Sequence, residues 1–288
     1  MALPAHPRAC RRARPPRGSD PRATMPVTSD AYRAFKLIPQ DGNGALVRRR
    51  ADGSMIGAML VERGRVCWAV CNDCPNRLTD LLVAESESLT NEQVSALVVE
   101  CRRDHRPLGE TLLTRGLISQ PVLHRALLRH TCESLDHLLR EEVVPWSWVD
   151  HAHSGYDPLL TFSPIEILVG LQTLISPTAA ARANAKLDVV MTSGLRGFAI
   201  ERTHGVRAPI AQNGCDTLDL ATLGDLSVHA DEIMAVAAIA DLKLAVVEFG
   251  ELAFASWAED NIRYVLLREG ELAFNQLLAH VVATTITL

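Results

Sequence analysis

The sequence predicts an α+β chain of two domains: a β-meander with a helical bundle, followed by an antiparallel sheet built in the order α-β-β-α-β-β-β-α. Three observations carry this. Short apolar or alternating runs bounded by tight-turn pairs occur in two separate places, 44–70 and 195–268. Stretches with apolar residues recurring at three and four, opened by recognisable caps, stand between and around them. A Pro/Ala-rich stretch near 176–180 separates the two groups, and 288 residues suit two domains better than one.

The elements follow in order. Residues 44–50 read as a strand, and Asp52-Gly53 supplies the positive φ values of a tight hairpin into 55–62. Arg63-Gly64 turns the chain into a third strand, 65–70. Thr90 with Gln93 forms a capping box, flanked by the staple pair Leu89 and Val94, for a helix running to about Arg103. Pro107 opens a short helix that stops at Gly116, and Ser119 caps a long one whose Leu123, Leu127, Leu135, Leu138 and Leu139 make one apolar stripe. Trp146–Val149 reads as a returning strand, and Ser163-Pro164 opens a helix to about Leu174. Beyond the boundary come a helix over 178–191, strands at 195–201 and 206–211, and a long helix capped by Asp216 and reaching Ile239. Strands at 243–249, 252–257 and 262–268 and a helix at 271–282 follow. The domain map is therefore a tail over 1–30, a first domain over 31–175, a linker over 176–185 and a second domain over 186–288.

Composition narrows the function. With 48% apolar and 22% charged residues the chain is globular. Six arginines against one aspartate give residues 1–24 a charge of +5, which leaves −10 on the rest of a chain whose net charge is −5. So acidic a body is a poor match for a phosphate backbone and argues against nucleic-acid binding. The Arg/Pro-rich head reads as a disordered tail, with Met25 as a candidate true start. It has no apolar stretch for a secretory signal, and its prolines would break the helix of a transit peptide. No window is apolar enough to span a membrane, and the expected location is the cytoplasm. Seven scattered cysteines fit a reducing compartment better than a disulfide framework.

Motifs for catalysis are few. Cys67, Cys71 and Cys74 have the Cx3Cx2C spacing of three thiolates on an iron–sulfur cluster. Cys67, however, lies inside a strand pattern, and Asp73 stands where an aromatic is usual, so thiols in or near a core are the plainer reading, with a zinc site on Cys71 and Cys74 as an alternative. His151 and His153 share a face if extended but lack a visible third ligand. No phosphate-binding loop, dinucleotide fingerprint, nucleophile elbow or HExxH zinc motif occurs. No cofactor, metal or catalytic residue is expected.

Two resemblances enter on these residues. The series Gly44-Ala-Leu-Val, Glu62-Arg-Gly-Arg-Val-Cys-Trp-Ala69, Leu108-Gly-Glu-Thr-Leu-Leu-Thr-Arg-Gly-Leu-Ile-Ser119, Trp146-Ser-Trp148 and Phe162-Ser-Pro-Ile-Glu-Ile-Leu168 resembles the PATAN domain of bacterial regulators. That resemblance implies a protein-interaction module. The second block, with Leu195-Arg-Gly-Phe-Ala-Ile-Glu-Arg and His204-Gly-Val206, is similar to the Roadblock/light-chain family. It implies a dimerising domain that can bind a small Ras-like GTPase. Together they imply a non-catalytic signalling adaptor that binds proteins, is a homodimer, and regulates such a GTPase in polarity or motility. The alternatives are a structural subunit of a motility or secretion machine, and a metal or iron–sulfur enzyme using Cys67, Cys71 and Cys74. Because both faces of 243–249 are largely apolar, Leu244, Val246 and Glu248 are the expected interaction residues.

Overall fold

The computed structural model describes residues 27–39, 41–72, 74–86, 88–140, 145–151, 155–191, 194–203, 206–215, 222, 225–226, 228–230, 232–233, 235, 244–249, 252–270 and 273–285. It mixes helices with two antiparallel sheets, an α+β architecture. Of the tail expected over 1–30, residues 1–26 lie outside the described residues, and the last four positions, 27–30, do not belong to a tail. Helix α1 (Val27–Phe35) begins there. Ala31, Ala34 and Phe35, spaced to share one helix face, are buried in the first core, and Asp30 sits 3.6 Å from the Arg48 guanidinium.

The first sheet has the order β3-β2-β1-β4, from β1 (Gly44–Arg49), β2 (Met55–Glu62), β3 (Arg65–Cys71) and β4 (Ser147–Asp150). At the β2–β3 turn both Arg63 (φ 50°) and Gly64 (φ 71°) are left-handed, as a two-residue hairpin turn of matching twist requires. The β1–β2 turn differs from expectation. Only Gly53 has positive φ there, while the Asp52 carboxylate accepts from the backbone N–H and the hydroxyl of Ser54, a local turn of the Asx kind. The exposed margin of β3 is met by Phe162, which exchanges two backbone hydrogen bonds of 2.8 Å with Val66.

Helices α2 (Leu78–Glu85), α3 (Asn91–Asp104), α4 (Leu108–Thr114) and α5 (Gln120–Arg140) form the bundle beside this sheet. The Thr90 box is present: Gln93 N–H donates to Thr90 Oγ1, and Thr90 N–H donates to the Gln93 side chain at 2.9 Å. One side of α5 packs Leu123 and Ala126 with Leu81, Leu82 and Leu97, and the other packs Leu135 and Leu138 with Leu46, Met59 and Ala69 of the sheet.

The second sheet has the order β6-β5-β9-β8-β7, from β5 (Arg196–Thr203), β6 (Val206–Asn213), β7 (Leu244–Phe249), β8 (Leu252–Glu259) and β9 (Ile262–Glu269). Alternation sorts its side chains. Ala199, Ala255, Tyr264 and Leu266 pack with Leu187 of α7 (Pro177–Val190) and Leu277 of α8 (Ala273–Thr285). Phe198, Ile200, Phe254, Val265 and Leu267 pack on the opposite face with Ala230 and with Ile165 of α6 (Pro164–Ile175). Of the long helix expected over 216–239, the residues at 222, 225–226, 228–230, 232–233 and 235 are helical, and the remainder lies outside the described residues.

Helix α6 serves both halves. Its Ile167, Leu168 and Leu171 belong to the first core, and Ile165 to the second. The segment 176–185, expected as a linker, lies in α7, where Ala180 and Ala183 have no exposed surface. An alanine-rich run reads as a spacer by composition, yet small side chains are what a helix needs to approach a sheet closely.

Candidate functional site

The five-stranded sheet ends on β7. Among the described residues β7 pairs with β8 alone, in the register Leu244↔Trp257 to Phe249↔Leu252. Only two residues separate Phe249 from Leu252, so this closing pair exchanges both hydrogen bonds, and the alternation of an antiparallel ladder fixes the rest. Phe249, Val247 and Ala245 bond to β8. Leu244, Val246 and Glu248 turn their N–H and C=O groups to the open margin.

Side chains follow a different division. Leu244 and Val246 are half-buried and pack against the cluster of α7 and α8, and Val247 packs against the opposite face. Glu248 is exposed. The three residues singled out from sequence therefore share one property, an outward main chain. They do not form one patch of side chains. The signal that could have separated the two is the hairpin register, countable from the two-residue spacing between Phe249 and Leu252.

The three cysteines of the Cx3Cx2C run do not converge as a three-ligand group among the described residues. Cys67 is on β3, its Sγ directed to the Arg65 carbonyl at 3.7 Å, and burial together with the nearby Glu62 carboxylate pushes its thiol up to about 11. Cys71 ends β3 and Cys74 follows in the turn, both in the first core cluster. Cys132 of α5 joins the same cluster, and its thiol is also raised by burial. Among the described residues no group of three or more His, Cys, Asp or Glu side chains is placed to hold a metal ion. His153 lies outside them, and His151 N–H donates to the Asn43 carbonyl at 3.2 Å.

Several buried polar groups were not anticipated. Arg48, 1% exposed, donates to the Leu138 carbonyl and lies 5.3 Å over the Trp146 ring. His130 stacks on Trp68 with centroids 4.5 Å apart, and burial lowers its pKa. Glu201 accepts from Gln172 Nε2 at 2.7 Å and from Asn261 Nδ2 at 3.1 Å. A cleft of about 310 Å³ beside it is lined by Arg202, Ala258, Asp260, Asn261, Ile262 and Arg263. Its charges are engaged: Asp260 with Arg182 at 2.8 Å, and Arg263 with the Ala230 carbonyl at 3.2 Å. The sign in sequence was phase. Arg48 shares the core face with Leu46, and Glu201 with Ala199. Among the described residues no helix is long and apolar enough to cross a membrane. No protein-family model, curated protein or solved structure matches this chain.

Proposed function

We propose that the chain is a non-catalytic signalling adaptor whose second sheet pairs with that of a second copy along β7, and whose joined sheets dock a partner protein. The observation that carries this is the β7 margin. A strand with half-buried side chains on both faces turns three consecutive outward main-chain positions to a side where no described strand pairs with it. Such margins are filled by strand addition or guarded by charge, proline or a bulge. Here the pairing of β7 runs without a bulge, and Glu248 is its single charged residue. Through the Roadblock/light-chain resemblance the partner is a small Ras-like GTPase, and through the PATAN resemblance the first half is a second protein-binding module.

Sedimentation of the full chain at roughly tens of micromolar, an association range suited to a modest interface, tests the reading. The wild type is expected to be a dimer. Glu248→Pro removes one outward N–H, spares the β7–β8 bonds and loses no buried side chain, so it is expected to sediment as a folded monomer. Val247→Pro strikes an inward N–H and is expected to damage the fold itself. A wild-type monomer, or a Glu248→Pro dimer, overturns the proposed pairing. Loss of a GTP-dependent retained GTPase in the Glu248→Pro protein would tie the docking to the dimer.

A further inference from the structure

The geometry points to Cys71 and Cys74 as a reversible dithiol–disulfide pair, a modification site at the junction between the first sheet and its helical bundle. Cys74 N–H donates to the Cys71 carbonyl at 3.3 Å. A hydrogen bond from residue i+3 to residue i belongs to a β-turn, whose ends lie within the Cα separation that a disulfide spans. Both residues border the same apolar cluster, Cys71 as a buried member and Cys74 as a half-buried one packed against it, with Cys74 Sγ also directed to the Asn76 carbonyl at 3.7 Å.

The turn is held on the strand side. Asn72 N–H donates to the Ile56 carbonyl at 3.0 Å, and its side-chain amide donates to the Met55 carbonyl at 2.9 Å. The main chain that carries the two cysteines is thus held close by hydrogen bonds that do not depend on the redox state of the thiols. Accessibility differs between them in the sense a stepwise oxidation needs: Cys74 is half-buried, Cys71 only 7% exposed. Cys67, four residues earlier, is unsuited to the same role, because its thiol is held protonated and its side chain sits within the β3 ladder.

The oxidant is a peroxide. The Cys74 thiolate attacks one peroxide oxygen; an S–O bond forms, the O–O bond breaks, and the other oxygen leaves as water after protonation. The resulting sulfenic acid is attacked by the Cys71 sulfur. An S–S bond forms, the S–O bond breaks, and the second water leaves with the Cys71 proton. Two thiols lose two electrons and the peroxide is reduced to two waters. A dithiol or glutathione reverses the step by exchange. The bridge would tie the end of β3 to the residues that lead into α2, whose Leu81 and Leu82 anchor the bundle, so oxidation reaches the seating of the bundle on the sheet.

The test uses the full chain and hydrogen peroxide, followed by alkylation of the remaining thiols under denaturing conditions and intact mass measurement. The reduced chain takes up seven alkyl groups. The oxidised wild type is expected to take up two fewer, with peptide mapping placing the bridge between Cys71 and Cys74, and to regain both after reduction. Cys71→Ala is expected to stop at a sulfenic acid on Cys74 that a 1,3-dione traps, and Cys101→Ser to behave as wild type. Trapping on Cys74 in the folded Cys71→Ala protein keeps the assignment testable even where a Cys74 variant fails to fold. A bridge mapped to another pair, a wild type that keeps seven free thiols, or Cys74 trapped equally in wild type and Cys71→Ala would each overturn the pair.

Discussion

The bond between Gln172 of α6 and Glu201 of β5 offers a sharp test of how the two halves are joined. Both residues are buried, at 6% and 7% exposure, and the amide meets the carboxylate at 2.7 Å. Gln172→Leu keeps most of the side-chain volume but removes the donor, leaving Glu201 to accept from the Asn261 amide at 3.1 Å. A hydrogen bond to a charged group contributes about 1.5–3 kcal/mol, and stranding a buried acceptor costs a similar amount, so a loss of about 2 kcal/mol is expected. That is about thirtyfold in the unfolding constant. The double variant Gln172→Leu/Glu201→Leu removes both partners together, and most of the loss is expected to return, because two apolar groups of similar shape can replace a buried polar pair at little cost. Urea unfolding of wild type, Gln172→Leu, Glu201→Leu and the double variant gives the four stabilities, and hydrogen exchange by mass spectrometry shows whether the peptides of β1–β3 and of β8–β9 lose protection together, as a shared α6 requires. A double variant as unstable as the two single changes summed, or a Gln172→Leu effect confined to one sheet, refutes the reasoning.

Other expectations follow from single sites. A Cβ on Gly57 would lie 2.1 Å from the Val70 carbonyl oxygen and 2.8 Å from Leu138 Cδ2, so Gly57→Ala is expected to cost about 3 kcal/mol; a thermal midpoint unchanged from wild type would contradict it. His130 is kept neutral by burial, below its ordinary 6.5. As pH falls below that value the unfolded chain takes up a proton that the folded chain refuses, so stability drops on acidification, and His130→Phe, which keeps a ring against Trp68, is expected to flatten that part of the profile. Cys67 works in the alkaline direction. Between the ordinary 9.0 and its folded value of about 11 the unfolded chain releases a proton that the folded chain retains. Stability therefore falls as pH rises through this window, and urea midpoints on either side of it, for wild type and Cys67→Ala, check the slope.

What the sequence revealed depended on whether the cause was local. The capping box at Thr90–Gln93 and the Ser163 cap are satisfied within four residues, and both were legible; the bond that Ser163 N–H donates to Glu166 was not anticipated. So were the strands flanking Arg63-Gly64, because the turn residues set the pairing. Helix α2 was missed: it opens on Arg77 in place of a hydroxyl or carboxylate cap, and Asp80, accepting from Arg77 N–H at 3.3 Å, is a fainter sign. Helix α1 was missed because its apolar face is only Ala31, Ala34 and Phe35, too short to show a period. At the candidate site, β7 was legible as a strand with two apolar faces, but the direction of its main chain needed the register. Strand phase alone marked Arg48 and Glu201 as inward-facing; the partners that make their burial tolerable, Leu138 and Gln172, lie 90 and 29 residues away and were not legible.

The pairing of β4 with β1 has a consequence in time. Ser147 Oγ donates to the Val47 carbonyl across 100 residues of sequence. At roughly 5–20 residues per second, a ribosome needs about 5–20 s to make that stretch. During this interval the β1–β2–β3 meander exists without its fourth strand and without Phe162 at the margin of β3, so the nascent chain carries two bare strand margins at once. Completion of the N-terminal sheet is thus scheduled by the emergence of 147–162, immediately before α6 appears and the second half can begin to assemble against it.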